Sequence, residues 1–483
     1  MEKQKSLKLN FAMNAILSIS SFIFPLITFP YVSRVLLPVG TGRVSFATSL
    51  ISYFAMIAQL GIPTYGIRAC ARVRDDKEKL SRTAQELMII NLIMSAVVYA
   101  ALFICVAAIP KLRAERTLIL IVSTTILFNA IGMEWLYKAL EEYTYITIRS
   151  ILFKAVAFVA MFVLVHQKSD YLIYGGISIF AASASNVLNF INAHRYISMR
   201  PVKGYHLKRH LKAVAIFFAM ACATTIYTNL DTVMLGFMKS NEAVGYYNAA
   251  VKIKNVLVGV ITSLGTVVLP RATYYIEHRR IDEFIKVTRK SINFVMVISI
   301  PMTLYFIFYA KEGIYFLSGR AYTGSILPME LIMPTLVFIG LTNIMGIQVM
   351  VPLGEEKTVF YSVSIGAVVD LAVNALLIPR LASAGAAIGT VAAEFAVLLY
   401  QLYKMKDHIR SMYGGIKYYA ILIGAAAASA GSLWVKLLPL GNFLTLVVTA
   451  VLFFGIYGGI LLAWKEPIMV LILRQVKTKL KKG

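Results

Sequence analysis

The chain is poor in the groups on which most protein chemistry depends. Its 483 residues include three cysteines, six histidines and three tryptophans. Cys70, Cys105 and Cys222 are scattered without a CxxC pair, so neither disulfide nor thiolate-metal chemistry is expected. The histidines show no HExxH or other ligand spacing, and no GxxxxGK(S/T) loop is present to cradle nucleotide phosphates. Acidic residues are scarce, 23 Asp and Glu against 48 Lys and Arg. Polar gaps are short, which leaves no soluble domain to house catalysis. A membrane-bound glycosyltransferase or polymerase would need catalytic carboxylates or a large external loop. The longest gap of that kind, roughly 312–327, holds only Glu312, Arg320 and polar filler. The chain is therefore not expected to be an enzyme, and no cofactor is expected beyond a coupling proton or sodium ion.

Apolar length is what the chain has in excess. It is 59% hydrophobic with a mean hydropathy of +0.74. A bilayer core of ~30 Å needs about 20 mostly apolar residues per spanning helix. Fourteen segments meet that need, near 11–31, 44–66, 86–109, 117–138, 148–166, 170–193, 212–236, 245–269, 291–311, 328–350, 358–379, 383–403, 416–436 and 442–464. The sequence thus predicts an all-α polytopic membrane protein. The short basic lead at the N-terminus is expected to run into a retained first helix, not a cleaved signal peptide.

Charge placement orients these helices. With residues at the span edges counted in the adjoining gap, 34 of the 48 basic residues fall in the N-terminus, the tail and every second gap, 11 in the alternate gaps and 3 inside spans. Lys and Arg are enriched in cytoplasmic loops, so both termini are expected in the cytoplasm and the span count is even. The formal charge of +25 is then explained by topology and contact with anionic membrane lipid, and nucleic acid is not an expected partner. The tail, 465–483, passes from an apolar run into Lys477, Lys479, Lys481 and Lys482, as in a helix lying on a membrane surface. Trp135, Trp434 and Trp464 lie near span ends and are expected to be interface anchors.

The chain contains itself twice. With Gly42 placed over Gly245, an offset of 203, Ser45, Ser49, Ser52, Met56, Gln59 and Pro63 fall over Asn248, Lys252, Asn255, Gly259, Thr262 and Thr266. Steps of three and four trace one stripe along a helix. Under the same offset Ser21, Pro25 and Thr28 fall over Thr224, Thr228 and Asp231. Helix packing in membranes also uses small polar residues. A stripe with Asn248, Lys252 and Asn255 is a poor packing surface and favours a water-filled cavity. The expected organisation is an N-terminal lobe over 1–200, a C-terminal lobe over 201–410, an extra helix pair over 411–464 and the basic tail over 465–483. The repeat begins and ends on one side of the membrane, so its two copies are expected to be parallel around a central cavity.

Charges at membrane depth are costly and few. Asp231, Lys252 and Lys254 lie at similar expected depth, with Arg34 near the same level and Arg43 closer to the loop. Together they could form a cationic phosphate site or a structural charge pair. Glu134 and Lys154 make a second depth match. Asp370, with Asn374 one turn on, and Glu394 are candidates to carry a coupling proton or bind sodium, or to be hydrogen-bonded packing residues. Pro25, Pro30, Pro301, Pro334 and Pro352 sit in or at the ends of spans and can kink them.

At several motifs the chain resembles the Wzx-type polysaccharide flippases of the multidrug/oligosaccharidyl-lipid/polysaccharide exporter superfamily. The resemblance covers nearly the whole length. It rests on the run from Pro25 to Pro38 leading to Gly40 and Gly42, on Leu60-Gly-Ile-Pro-Thr-Tyr-Gly-Ile-Arg68, on Asn229-Leu-Asp-Thr-Val-Met-Leu-Gly236, on Val244-Gly-Tyr-Tyr247, and on Asn374 to Pro379 followed by Gly385-Ala-Ala-Ile-Gly-Thr390. It implies two six-helix lobes with alternating access in a bacterial plasma membrane. It implies a substrate of undecaprenyl-diphosphate-linked oligosaccharide repeat units for O-antigen, capsule or another surface polymer, with polysaccharide polymerase machinery as a partner. A cationic cavity in such a protein suits a diphosphate, and the resemblance carries that role to Arg34, Lys252 and Lys254, with Asn248, Asn255 and Arg43 beside them. A lipid II flippase and a cation-coupled multidrug exporter are the alternatives within the superfamily.

Overall fold

The computed structural model describes residues 7–202, 204–263 and 265–470. Among them there is no β-strand. The chain divides into two compact units, Met1–Gly245 and Tyr246–Gly483.

The first unit opens with α1 (Leu7–Gln59), 53 residues long. At 1.5 Å per residue this is about 80 Å, more than twice a bilayer core, so it cannot be one span. It breaks at Leu37, where φ is 58° and ψ is 177°. Pro38 follows, and a proline ring disfavours helical geometry in the residue before it. The second limb then starts on a proline, whose missing N–H is no loss in a first turn. That limb covers 38–59 and the later helix α11 covers 241–262, so the 203-residue offset holds at both ends. The motif at Leu60 and Gly61 forms the turn into α2 (Ile62–Ala71): both residues have positive φ, 47° and 74°. A Cβ on Gly61 would meet the Phe217 carbonyl carbon at 2.5 Å, so glycine is required there twice over.

α3 (Lys77–Ala108) is capped by Asp76, whose carboxylate accepts from the N–H groups of Glu78 and Lys79 at 3.1 and 3.0 Å. The hydrogen bond from the Lys79 side chain, with that from its backbone, holds the Asp76 carboxyl below the usual range. Because the folded pKa is depressed, the cap's contribution is present above the ordinary Asp value of about 3.9 and lost as pH falls through the lower folded value. Replacing Asp76 with Asn, which keeps a capping oxygen, is expected to remove this acid sensitivity. Hydrogen exchange in the first turn of α3, followed from about pH 5 to about pH 3, checks it.

The short α4 (Pro110–Ala114) leads into α5 (Arg116–Gly132), which ends at Met133 in a left-handed conformation before α6 (Glu134–Ala139). α7 (Tyr143–Leu164), α8 (Tyr171–Ile179), a π-helical turn (Phe180–Ala184) and α9 (Asn186–Asn192) follow, and α10 (Lys208–Met238) closes the unit. α1 is the centre of this unit, packed on α3, α5, α7, α8 and α10. By the repeat, α10 opens the second half of the chain; by its packing it belongs with α1. The repeat halves and the compact units are different divisions.

α11 (Asn241–Thr262) carries the chain into the second unit. There follow α12 (Gly265–Glu277), α13 (Ile281–Phe308), α14 (Ala310–Ser318), α15 (Ile326–Ile332), α16 (Thr335–Thr342) and a π-helical stretch (Asn343–Met350). The segments Arg320–Ile332 and Thr335–Met350 are bent by 47° at a break that holds Pro334. α17 (Glu356–Leu381) and α18 (Ser383–Lys404) form a close hairpin, seated on buried small residues from Ser383 to Gly389. After α19 (Lys406–Tyr413), helices α20 (Tyr418–Leu433) and α21 (Asn442–Ala463) pack on α13 through Tyr305, Tyr309, Phe453 and Tyr457. Beyond residue 470 the basic tail, with Lys477 to Lys482, lies outside the described residues. Glu466, fully buried, accepts from Asn293 at 2.6 Å and from the N–H groups of Ile468 and Met469 at 2.9 Å.

Among the described residues ten helices are long and apolar enough to cross a membrane, eleven if the bent pair is one span. The expected count was fourteen. Three segments explain the difference: α1 and α2 count as a single 60-residue stretch despite the break at Leu37, α5 has only 17 residues, and α11 carries Glu242, Lys252 and Lys254. The chain is a multi-pass membrane protein. One expected anchor is corrected: Trp135 is 4% exposed and packs over Gly66 in the core, because α6 folds back onto α2. Trp434 is 52% exposed, as an interface residue would be.

Candidate functional site

Two polar cavities lie inside the first unit. The first, about 480 Å³, is lined by Ser21, Pro25 and Thr28 of α1, Glu134 and Lys138 of α6, and Lys154 of α7. The second, about 420 Å³, is lined by Ser52, Met56, Gln59 and Pro63, facing Asn129 of α5 and Asn229 of α10. These are residues of the two stripes read from the sequence. In each stripe, steps of three and four keep the polar side chains on one face, and that face meets open space. The π-helical turn separates the cavities: Ala182 lines both. A π turn widens a helix locally and often marks a functional site.

Lys154 and Glu134, matched in depth from the sequence, do line one cavity, yet neither is the other's contact. Lys154 Nζ donates to the hydroxyls of Ser20 and Ser21, both at 2.9 Å. Glu134 pairs with Lys138 at 2.8 Å and with Arg149 at 3.6 Å. Arg149 stands at the edge of the predicted span 148–166, where it counts with the basic gap before it, but it is buried and donates to Ser185 at 2.9 Å and Asn186 at 3.1 Å. No sequence signal separates it from its exposed neighbours; only the turn of α7 puts it inward.

The other candidates divide between the units. Arg34 is exposed on α1 and donates to the Pro30 carbonyl at 2.6 Å. Arg43 lies 3.1 Å from Glu115 and over the Tyr171 ring at 4.7 Å. Glu115 also accepts from Asn241 at 3.2 Å. Burial pushes the Glu115 carboxyl up, and Arg43 pulls it partly back. Asp231 is buried on α10. In the second unit, Asn248, Lys252, Lys254 and Asn255 sit on α11, with Lys252 and Lys254 half-buried. Asp370 and Asn374 are buried one turn apart on α17, with Asn374 donating to Asp370 at 3.1 Å. Glu394 is buried on α18, where Thr390 meets the Tyr247 hydroxyl at 2.8 Å. Among the described residues, no cluster of three or more His, Cys, Asp or Glu is placed to hold a metal ion.

One buried cluster escaped the sequence reading. Glu86 of α3 is 0% exposed. Its carboxylate accepts from Arg209 at 2.6 and 3.0 Å, from the His206 N–H at 2.7 Å, and faces His210 Nε2 at 2.7 Å. His210 Nδ1 lies 2.8 Å from the Tyr65 hydroxyl. The visible signal was a lone carboxylate at the start of a span, matched to a basic gap far along the chain.

Known proteins give the fold its context. The structure is similar to the lipid II flippase MurJ in an inward closed conformation, with a TM-score of 0.68 and 15% identity over 92% of this chain and 98% of that one. It is also similar to an inward-facing multidrug resistance transporter of the MATE family, with a TM-score of 0.63 and 14% identity over 84% of this chain and 99% of that one. At such identities the likeness is one of fold, that of MurJ and MATE transporters. In sequence, a relative from Escherichia coli strain K12, provisionally named an O-antigen transporter, is 24% identical over 73% of this chain and 85% of its own length. One of the same provisional name from Shigella dysenteriae is 22% identical over 80% of this chain and 97% of its own. The profile of the polysaccharide biosynthesis protein family matches residues 7–275, more than half of the chain. The chain belongs to the polysaccharide biosynthesis protein family.

Proposed function

We propose that the chain is a flippase for lipid-linked oligosaccharide repeat units. In this reading it carries undecaprenyl-diphosphate-linked sugars from the cytoplasmic to the outer leaflet of a bacterial plasma membrane by alternating access, with both termini cytoplasmic, and hands them to polysaccharide polymerase machinery. The observation that carries the reading is the pair of hydroxyl- and amide-rich cavities inside a helical membrane unit, in a chain of this family. Open space bounded by Ser, Thr, Asn and Gln at membrane depth suits sugar hydroxyls and is costly to maintain for packing alone. The names of the curated relatives point the same way.

Arg34 in the first unit and Lys252 and Lys254 in the second are the candidates for contact with the diphosphate, with Asn248, Asn255 and Arg43 as weaker ones. Asp370, Glu394 and Asp231 are the candidates for coupling to a proton or sodium ion. A charge-assisted hydrogen bond to phosphate contributes about 1.5–3 kcal/mol, so Lys252→Ala or Arg34→Ala is expected to slow transport at least about tenfold. The test is to measure lipid-linked sugar intermediates in a strain lacking the protein. Accumulation on the cytoplasmic side, relieved by the intact chain and not by these variants, supports both the function and the residues. Relief by the variants equal to that by the parent removes the residues. No accumulation removes the flippase reading.

A further inference from the structure

The turn between α10 and α11 is held at one polar knot. Asn241 Nδ2 donates to Glu115 Oε1 at 3.2 Å. Arg43 Nε stands 3.1 Å from the same oxygen, yet its N–H is not aimed at it and makes no hydrogen bond among the described residues. Lys111 Nζ reaches the Lys239 carbonyl at 3.4 Å. Glu115 is 9% exposed, and the knot gathers the second limb of α1, α4, the start of α5 and the start of α11. The Asn241 carbonyl is also the group that a Cβ on Gly42 would strike, so the backbones here are in contact.

The amide of Asn241 is only half used. Its Nδ2 donates to Glu115, but its Oδ1 is buried with no donor among the described residues. An unmet buried acceptor is costly, and an ionised carboxylate, which has only acceptors, cannot meet it. A protonated carboxyl gains an O–H. Acid and amide then match, donor to acceptor on both sides, in a closed ring of two hydrogen bonds. Burial pushes the Glu115 carboxyl up, while Arg43, the Asn241 amide and Lys111 pull it partly back. Arg43 does not depend on the pair, because it is 34% exposed and lies over the Tyr171 ring at 4.7 Å.

We infer that Glu115 and Asn241 form a latch that a proton from solvent closes: the protonated carboxyl and the amide join through two hydrogen bonds and hold the α10–α11 turn against α1 and α5. Ionisation of Glu115 removes one of the two bonds and leaves a charge in a buried place, so the latch loosens. The closed carboxyl binds its proton more tightly than an exposed Glu, whose ordinary value is about 4.3. The latch is therefore fully present below that value and is lost as pH rises through the higher closed value. A simple Arg43–Glu115 ion pair would do the opposite and open in acid. The helices tied here, 38–59 and 241–262, open the two copies of the internal repeat. The inference rests on the flippase reading for the use of the movement. In the proposed orientation this end faces outward, so outer acidity holds it shut.

The experiment uses the full chain in lipid nanodiscs, which expose both faces. Cys105 and Cys222 are changed to Ser, Cys70 stays because it is fully buried, and spin labels go on cysteines placed at the exposed positions Arg113 and Lys239. The label distance is followed from about pH 8 down to the ordinary Glu value of about 4.3. In the parent the short-distance population is expected to grow as pH falls, by up to about tenfold per pH unit, the limit for one proton. Glu115→Gln, whose amide can make the same two bonds with Asn241, is expected to stay short throughout, and Glu115→Ala to stay long. The inference is overturned if the parent distance lengthens in acid or ignores pH, or if the two variants behave alike. The parent titration needs no variant at the knot, so it decides even if a variant does not fold. A pH-dependent latch in a chain that fails to relieve accumulation of lipid-linked sugars would sink the flippase reading and leave the latch. A pH-independent distance in a chain that relieves it would do the reverse.

Discussion

Replacing Gly245 with Ala, or Gly42 with Ala, is expected to leave little folded protein. These two glycines anchor the internal repeat, and the structure brings them together. A Cβ on Gly42 would lie 1.7 Å from the Asn241 carbonyl oxygen and 2.8 Å from the Gly245 nitrogen. A Cβ on Gly245 would lie 2.0 Å from the Pro38 carbonyl oxygen. The obstacle in each case is backbone near the start of a helix, which cannot rotate away as a side chain can. Small residues at such crossings are what let membrane helices approach closely. Overpacking costs about 1–3 kcal/mol where side chains can adjust, so about 3 kcal/mol or more is expected here. Gly259 is the control, on the same helix with nothing within 4 Å of its Cβ position. Its change to Ala is expected to be neutral or to stabilise by up to about 1 kcal/mol through helix propensity. Thermal unfolding and the monodisperse fraction in detergent measure both. A Gly245→Ala protein as stable as the Gly259→Ala protein would mean that the helices do not cross so closely.

Glu86→Ala is the second large effect. It removes an acceptor that ties α3 to the segment leading into α10 through Arg209, His210 and the His206 N–H. Its neighbour Gln85 binds the same segment, donating to the carbonyls of Ser198 and Arg200 and accepting from Tyr205. Breaking a buried ion pair on one side costs about 3–5 kcal/mol, because the partner is left unpaired. Arg209 is 46% exposed and can regain water, so the lower figure, about 3 kcal/mol, is expected. Arg74→Ala breaks the Arg74–Glu141 pair, whose side chains are 46% and 44% exposed, and is expected to cost no more than about 1 kcal/mol. Equal unfolding midpoints for the two variants would show that the Glu86 cluster does not hold this segment.

Much of the cavity lining was legible in the chain. Ser21, Pro25 and Thr28, then Ser52, Met56, Gln59 and Pro63, were chosen by spacing and line the two cavities. A helix has one period, so spacing alone decides which side chains share a face. Contacts across helices were not legible. Glu134 and Lys154 were matched by depth and share a cavity, yet each bonds to other groups. Depth along the membrane normal is set by position in the span, whereas rotation about the helix axis is set by packing. Trp135 was misjudged and Arg149 passed over for that reason, as each turns inward on a helix whose end looked exposed.

By itself the sequence determined the class: apolar runs of spanning length, a 203-residue repeat, and basic residues in alternate gaps. These are one-dimensional properties, and the bilayer reads them directly through the cost of exposing polar groups to lipid. The tertiary structure decided the rest. It set the break at Leu37, the glycine contact at Gly42 and Gly245, the burial of Glu86 among residues more than 100 positions away, and the seating of Lys154 on the hydroxyls of Ser20 and Ser21. Each depends on how far one helix is rotated and shifted against another. That is fixed by the shapes of whole packed faces, which no local pattern in the chain encodes.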